Sequence, residues 1–395
     1  MSTSMFEVDA DAIDVLEVVN RFCLEQVAPR AAAIDLEAEF FPDLLKVAAD
    51  IGLQSLIFDD RGHVEFANLA LAHETNEVIA SYSGAVALGV SITRLHGYLL
   101  CRYARPEIRD AWLPGLMSGS LLGSFVISEP HAGTDVRAIR TVAREVPGGW
   151  SITGEKAWIT QSPVANFGIV LAKLGSVERG AETAAFVVDY ATPGVSIGRD
   201  EPMSGFRGMP MANVVFEDVR VPDEARLLVN GFSGMLEGVN LARLDAAGYG
   251  LGFMRGCLRE CAAYTANREA FGATIAELQI VQAAMGQMLA DYLASRELVL
   301  TAVRSFMQGH GGDNALVSAA KLQASEAAMR TAVMAVQLLG GAGVHLDYPV
   351  QRFMRDAKVI QIIDGTTQIH QLMLGKAVLR TDWVSAVPRT KGQAQ

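Results

Sequence analysis

Residues 127–138, which read ISEPHAGTDVRA, mark the point at which the chain changes from a helical to an extended pattern. Upstream, apolar residues recur every three to five positions, and downstream, short β-branched runs alternate with glycine and proline. Ser128 and Thr134 offer hydroxyl groups, and Gly133 allows a ligand to approach the backbone. The stretch can therefore bind the edge of a flat heterocycle or a phosphate. A capped loop that leads into a β region would show the same pattern.

Working outward from this stretch, the chain divides into three regions and a tail. Helical spacing supports the first and third regions, and the short β-branched runs support the second. Two long helices joined by a turn at His310 indicate a bundle. We predict an N-terminal helical domain at 1–121, a central, barrel-like β domain at 122–230, a C-terminal four-helix bundle at 231–384 and a polar tail at 385–395. Clefts between such domains commonly bind flat cofactors and acyl chains.

The composition excludes several classes of function. The 395 residues are 50% hydrophobic and carry a net charge of -11 without a basic run, so we expect no nucleic-acid partner. The four cysteines are scattered, which predicts no metal site and fits a reduced compartment. We expect no membrane span, and the acidic N-terminus without a targeting pattern indicates a cytoplasmic protein.

The segment 359–371, which reads VIQIIDGTTQIHQ, supplies a candidate general base. Asp364 lies among isoleucines, and a carboxylate in apolar surroundings loses solvation, so its pKa rises. Such a group can remove a proton from a carbon acid near neutral pH. Gly365 allows a substrate to approach the backbone closely. Alternatively, Asp364 caps the helix predicted after it.

Two further stretches can bind a flavin-like or nucleotide ligand. In a strand at 154–160, Trp158 and Thr160 would face the same side and could pack on a ring system, although a core tryptophan is the simpler alternative. Arg268, beside Phe271 and followed by Gln279 and Gln282, could clamp a pyrophosphate and its nucleoside, although a surface arginine is the ordinary alternative.

A fifth stretch, 337–344, contains three glycines that end a long helix and expose backbone amides. The charged residues that follow it are interpreted as a structural ion-pair cluster rather than as reactive groups: Asp347, Arg352, Arg355 and Asp356.

The fixed order of these motifs, over about 240 residues, resembles the acyl-CoA dehydrogenase family. The resemblance extends from about residue 10 to residue 380, with Val126 at a position where a smaller residue is usual. It implies the helix–β–helix domain order predicted above. It also implies FAD between the β and C-terminal domains, and a homotetramer built as a dimer of dimers, or a homodimer.

By motif match, the resemblance assigns the candidate site residues. The residues expected around the isoalloxazine are Val126, Ser128, Trp158, Ile159 and Thr160. Those expected at the adenine-diphosphate part of FAD, some across a subunit interface, are Arg268, Phe271, Gln279, Gln337 and Gly341. Thr366 and Gln368 would also contact FAD. Thr134 would lie near the pantetheine or phosphate arm of the substrate, and Arg243 near the base.

The reaction that the resemblance implies is α,β-dehydrogenation of an acyl thioester. A carboxylate removes the α-proton while the β-hydrogen leaves as hydride to flavin N5. Hydrogen bonds to the thioester carbonyl stabilise the enolate. An electron-transfer flavoprotein is the expected electron acceptor. Acyl-CoA is the expected substrate, and an acyl group on a carrier protein is an alternative that the acidic net charge weakly disfavours.

The chain departs from the family pattern at the base. Most members carry glutamate where Asp364 stands, and Ala242 occupies the second known base position. Aspartate reaches about 1.5 Å less far than glutamate, and a misplacement of about 1 Å can slow a reaction roughly a hundredfold. The sequence at 58–66 and 209–212 also departs from the family, which puts a plain fatty acyl group in doubt.

Several alternatives follow from this departure. A branched or cyclic acyl group could place its α-carbon closer to a short base, or the enzyme could simply be slow. The chain could instead be a flavin oxidase or monooxygenase that acts on a nitro compound or an amine. It could also be a catalytically silent protein that binds acyl-CoA or flavin.

Overall fold

The computed structural model describes residues 10–59, 61–229, 231–308 and 311–380. The predictions for His310 and for the tail at 385–395 lie outside these residues. The described chain confirms the predicted order of a helical region, a β region and a second helical region.

The first region contains six α-helices, and a short π-helical stretch, Cys23–Val27, follows the first of them. The α-helices are α1 (Ala10–Phe22), α2 (Ala31–Glu37), α3 (Pro42–Asp50), α4 (Leu69–Ala80), α5 (Gly84–Tyr103) and α6 (Pro106–Met117). α5 lies at the centre of this region, and Ser83 caps it by accepting a hydrogen bond from the Val86 amide. Pro106 begins α6, at a position where its missing N–H is tolerated.

The β region contains seven strands in one sheet. They are β1 (Gly123–Val126), β2 (Val142–Val146), β3 (Gly149–Thr160), β4 (Phe167–Leu174), β5 (Thr183–Asp189), β6 (Val195–Ile197) and β7 (Met211–Pro222). The strand order is β1-β4-β2-β3-β7-β6, and β5 also pairs with β4. β4 is parallel to β1 and β2 and antiparallel to β5, and seven of its eight residues are buried, which explains its continuous apolar sequence.

A register shift in the β3–β7 pairing exposes one aromatic side chain. The shift lies between Lys156 and Ile159, and Trp158 within it has a φ of 61°. A bulge of this kind redirects a side chain. Trp158 is 59% exposed at this point, beside the buried Ile159.

The second helical region begins with a long helix and ends with the segment that carries Asp364. Its helices are α7 (Gly231–Asn267), α8 (Gln279–Met307), α9 (Asn314–Leu339), α10 (Val350–Ile360) and α11 (Thr367–Arg380). Two short strands, β8 (Glu269–Ala270) and β9 (Ala273–Thr274), form a hairpin between α7 and α8.

α7 and α9 run parallel and in close contact. Asn240 on α7 donates a hydrogen bond to the Asn314 side chain at the start of α9. Further along, a methyl group at Gly250 would lie 3.0 Å from the Ala324 carbonyl oxygen. The two helices can approach this closely because small residues face each other, and their separation positions the side chains that meet Asp364.

Two helices in the described residues are long and apolar enough to cross a bilayer: α5, and Asn314–Val344, which includes α9. In α5, 83% of the most apolar window is buried inside the protein, as expected of a helix at the centre of a domain. In Asn314–Val344 the share is 39%, and this helix also carries the buried Lys321. Length and composition alone are therefore weak evidence for a membrane span.

Close packing between α7 and α4 gives a testable prediction. A methyl group at Gly252 would lie 2.5 Å from the Ala80 methyl and 2.6 Å from the Glu77 carbonyl oxygen. Because backbone atoms cannot easily move aside, we expect Gly252→Ala to destabilise the protein by about 1–3 kcal/mol. Thermal denaturation should show a lower melting temperature than wild type.

The matched control is Gly286→Ala in α8, where an added methyl group meets no atom within 4 Å. We expect this substitution to be neutral or to stabilise the protein by about 0.5–1 kcal/mol. A wild-type melting temperature for Gly252→Ala would contradict the close packing.

Candidate active site

Asp364 lies in the turn between α10 and α11, and its backbone has left-handed geometry. Its φ is 55°, and that of Gly365 is 105°. The Asp364 carbonyl oxygen accepts a hydrogen bond from Arg243 Nε at 3.0 Å. The next carbonyl, that of Gly365, accepts one from Lys321 Nζ at 2.7 Å. Two cations on parallel helices therefore bind consecutive carbonyl groups of the turn.

The carboxylate of Asp364 keeps its own oxygens free of direct ion pairs. Within the described part of the chain, no lysine, arginine or histidine nitrogen lies within 4.0 Å of it. Burial raises the pKa of Asp364, and the charges of Lys321 and Arg243 partly offset that rise. A half-buried carboxylate with a raised pKa and no ion-pair partner can accept a proton from a bound ligand.

Hydrogen bonds to Glu326 on α9 also hold the ends of this turn. Its Oε1 accepts bonds from Thr367 Oγ1 at 2.6 Å and from Gln361 Nε2 at 2.9 Å. On the other side, the His370 ring is buried beside Gly365, and burial lowers the pKa of His370 to about 3. A neutral imidazole at this position adds no charge to the surroundings of Asp364.

The stretches 127–138 and 154–160 contact each other in the β region. The Ser128 carbonyl oxygen accepts a hydrogen bond from the Ala157 amide at 3.0 Å. Lys156 Nζ donates to the Ile127 carbonyl oxygen at 2.8 Å and pairs with Glu129 at 3.0 Å. Because Lys156 and Glu129 are both buried, this ion pair fixes the loop after β1 against β3.

The residues predicted around the isoalloxazine differ in exposure. Trp158 is exposed, Ser128 and Thr160 are half-buried, and the side chains of Val126 and Ile159 lie in the β core. Thr134 is exposed within the loop after β1. An exposed indole beside half-buried hydroxyl groups can pack on a flat ring and hydrogen-bond to its edge.

An open cavity of about 870 Å³ is lined by two of the residues predicted at the adenine-diphosphate part of FAD, Arg268 and Gly341. Tyr264 and Gly340 also line it. Phe271 is 94% exposed, and Gln279 and Gln337 are exposed as well, but these three do not line the cavity. A guanidinium group and exposed glycine backbone are suited to a pyrophosphate.

Sequence profiles of three domains match almost the whole chain in order. They are the acyl-CoA dehydrogenase N-terminal domain at residues 9–120, middle domain at 124–219 and C-terminal domain at 230–379. The chain belongs to the acyl-CoA dehydrogenase family. It is accordingly a flavoprotein oxidoreductase of the class that acts on CH–CH groups.

Relatives of this acyl-CoA dehydrogenase family member cover nearly the full chain. It is 32% identical over 93% of its length to the mitochondrial isovaleryl-CoA dehydrogenase of Oryza sativa subsp. japonica, of which 90% is covered. It is 30% identical over 95% of its length to cyclohexane-1-carbonyl-CoA dehydrogenase of Geobacter metallireducens, of which 99% is covered. The structure of a glutaryl-CoA dehydrogenase from Mycobacterium smegmatis in complex with FADH2 superimposes with a TM-score of 0.87 at 25% identity, covering 95% of this chain and 96% of that one.

This member of the acyl-CoA dehydrogenase family has an additional small cavity, beside the turn of α7 that carries Arg243. It measures about 10 Å³, which is room for roughly one water molecule. Arg94, His73 and Asp245 line it together with apolar side chains. Burial raises the pKa of Asp245 to about 7. His73 Nε2 is buried and has no hydrogen-bond partner among the described residues.

The charged residues after the glycine-rich stretch form an ion pair and hydrogen bonds to main chain rather than the predicted ion-pair cluster. Arg355 makes two hydrogen bonds to the Asp35 carboxylate, and Asp356 accepts one from the Phe206 amide. Arg352 donates to the Tyr82 carbonyl oxygen. Asp347 lies apart from these contacts, on the surface, with its side chain 80% exposed.

Sequence reasoning missed Lys321, Glu326 and Asp245, although each left a signal. Lys321 and Glu326 interrupt the Ala- and Ser-rich sequence of α9, and Asp245 lies in the apolar middle of α7. An isolated charge in an otherwise apolar helix requires a buried partner. No group of three or more His, Cys, Asp or Glu suited to a metal ion occurs in the part of the chain that the structure describes.

The ion pair between Glu129 and Lys156 gives a prediction for the loop after β1. Glu129→Gln or Lys156→Met alone leaves an unpaired buried charge, so each should lower the free energy of unfolding by about 3–5 kcal/mol. The double variant removes both charges and should be more stable than either single variant. Urea denaturation at one protein concentration gives the free energy of unfolding of the wild type, the two single variants and the double variant. A double variant as unstable as the sum of the single losses would contradict this assignment.

Proposed function

We propose that this protein is an FAD-dependent dehydrogenase that oxidises the α,β-bond of an acyl thioester, with Asp364 as the base. The observation that carries the proposal is the placement of that carboxylate. Arg243 and Lys321 hold the backbone of Asp364 and Gly365, and burial raises the pKa of Asp364. The carboxylate oxygens have no ion-pair partner in the described residues. A purely structural aspartate would use its carboxylate oxygens as acceptors.

The residues present fit a bound FAD. Arg268 and Gly341 line a cavity large enough for part of a dinucleotide, and Trp158 offers an exposed ring next to Ser128 and Thr160. Gly340 and Gly341 have no atom within 4 Å of their missing side chains, so a ligand can approach their backbone. Bound FAD would supply the acceptor for the β-hydrogen, which leaves the substrate as hydride.

We propose that the acyl group is branched or cyclic near its α-carbon. A base shorter by one methylene reaches the α-proton only if that carbon lies closer, and a bulky α-substituent can enforce such a position. The names of the isovaleryl- and cyclohexane-1-carbonyl-CoA dehydrogenases are consistent with this substrate class.

In the proposed reaction, the chain supplies position and charge. Asp364 accepts the α-proton, and its neutral form is tolerated because the site is poorly hydrated. Arg243 fixes the Asp364 carbonyl group and keeps a positive charge near the carboxylate before the proton arrives. Thr366 and Gly365, both half-buried at the same turn, border the space next to the base.

We further propose a homotetramer that passes electrons to an electron-transfer flavoprotein. Large apolar side chains exposed on the second helical region support a subunit interface: Ile280, Val344, Leu372, Val378 and Leu379. Coenzyme A is the preferred carrier of the acyl group because the protein is acidic, as are acyl carrier proteins. A cytoplasmic location fits the four unpaired cysteines.

Removal of the base provides the first test. In Asp364→Asn, we expect anaerobic bleaching of the flavin by cyclohexane-1-carbonyl-CoA or isovaleryl-CoA to slow by about 10²–10⁴-fold, the usual contribution of a general base. Stopped-flow absorbance measures the rate. Asp347→Asn, at a surface position, is the matched control and should behave as wild type. Equal bleaching rates in wild type and Asp364→Asn would show that another group removes the proton.

Admitting air after the anaerobic reduction of the wild-type protein distinguishes a dehydrogenase from an oxidase. An acyl-CoA dehydrogenase that depends on an electron-transfer flavoprotein should remain reduced in air for much longer than an oxidase would. Rapid reoxidation by oxygen, together with reduction by a nitro compound or an amine but by no acyl-CoA, would overturn the proposed function.

Lengthening the base tests the substrate class. Asp364→Glu extends the carboxylate by about 1.5 Å. We expect slower flavin reduction by cyclohexane-1-carbonyl-CoA, because the longer side chain collides with the ring, and faster reduction by straight-chain butyryl-CoA. The ratio of the two rates is the measurement. If glutamate accelerates both reactions, aspartate is merely a poorer base, and the argument for a branched or cyclic substrate fails.

A further inference from the structure

Lys321 is a buried cation that contacts the base turn through main chain and forms no ion pair with the Asp364 carboxylate in the described residues. Its side chain is fully buried in α9, and Nζ donates a hydrogen bond of 2.7 Å to the Gly365 carbonyl oxygen. Burial lowers the pKa of Lys321 to about 8, and the charge of Asp364 opposes that change. Keeping an ammonium group in the protein interior is unfavourable, so its single carbonyl contact at the base turn requires an explanation.

The backbone geometry around Asp364 explains why Lys321 contacts this turn. A non-glycine residue with a φ of 55° is strained by roughly 1 kcal/mol or more. The strained backbone persists only if its surroundings hold it. Arg243 binds the Asp364 carbonyl from α7, and Lys321 binds the Gly365 carbonyl from α9. The two contacts hold the two peptide units on either side of the Gly365 Cα, and neither contact uses the carboxylate oxygens.

We propose that Lys321 is a positioning residue which, with Arg243, clamps the Asp364–Gly365 backbone so that the short carboxylate points at the substrate α-carbon. The kinetic part of this proposal rests on the proposed function, whereas the clamp itself does not. A charge on the backbone side of the turn also favours the ionised base without an ion pair to its oxygens. The alternative is that Lys321 only stabilises the fold.

Other titratable groups interact electrostatically with Asp364 or with Lys321. They are Arg243, Asp245 and Tyr249 on α7, Glu326 on α9 and His370 on α11. None of them replaces the contact to the Gly365 carbonyl. Arg243 binds the preceding carbonyl. The His370 ring faces the backbone of Asp364 and Gly365, but neither ring nitrogen has a hydrogen-bond partner among the described residues. The ring is neutral over the working pH range because burial lowers the pKa of His370 to about 3.

The test compares Lys321→Met with Lys173→Met. Lys173 is a matched control, because it is equally buried in β4 and its Nζ also donates to a single backbone carbonyl, that of Val177, at 3.0 Å. Both substitutions remove the same charge and the same kind of hydrogen bond. Any general effect of losing a buried lysine should therefore appear in both variants.

We expect Lys321→Met to slow anaerobic flavin reduction by cyclohexane-1-carbonyl-CoA about 10- to 100-fold, with little change in the Kd of the acyl-CoA. Removing the positive charge raises the pKa of Asp364, so the acid limb of the rate–pH profile should move to higher pH. Lys321→Arg retains the charge and should keep the acid limb near its wild-type position. Lys173→Met should change neither the rate nor the limb.

Hydrogen exchange measured by mass spectrometry tests the clamp independently of substrate. In Lys321→Met, the amides of Thr367 and Ile369, which bond within this turn, should exchange on the order of tenfold faster than in wild type. Lys173→Met should leave them unchanged. Unchanged exchange in Lys321→Met would overturn the clamp, even if no acyl-CoA reduces the flavin. Faster exchange with unaltered rate and pH profile would show that the clamp exists but does not position a base.

Discussion

Two charge-assisted hydrogen bonds to consecutive carbonyl groups are the contacts on which the candidate site depends. Arg243 and Lys321 reach the carbonyl groups of Asp364 and Gly365 from two parallel helices, and they do so because α7 and α9 approach closely at Gly250. The sequence of glycine, alanine and serine along these helices is therefore part of the site, although none of those residues is reactive. A larger residue at this contact would separate the helices and move the proposed base, Asp364, by the fraction of an ångström that matters for proton transfer.

In the β region, too, buried charged side chains hold main chain in place, but there they form an ion pair. There a buried lysine and glutamate hold the loop after β1, because Lys156 binds the Ile127 carbonyl and Glu129 accepts bonds from Thr141. In both places a buried cation binds main chain near a predicted ligand contact. Main-chain clamps of this kind leave nearby side chains, Ser128 in one case and Asp364 in the other, available for a ligand.

Sequence reasoning predicted the domain order and the raised pKa of Asp364 because apolar periodicity and a carboxylate among isoleucines are local signals. It could not predict that Lys321 contacts Gly365, since the two are 44 residues apart and meet only when α9 packs against the following turn. It also could not predict the left-handed backbone of Trp158, which arises from a register shift against β7. Contacts of this kind depend on tertiary packing, and a single sequence carries no pattern for them.

The aspartate at position 364 is easier to understand once its backbone is considered. A glutamate has one more rotatable bond, so it can correct small errors in backbone position by changing rotamer. An aspartate has less freedom, and its reach is set almost entirely by the main chain to which it is attached. A short base therefore requires a turn whose backbone is held in place. Hydrogen bonds to Arg243, Lys321 and Glu326 hold this turn. The loss of reach and the gain in backbone restraint belong together, which argues against Asp364 as a disabled remnant of a glutamate base.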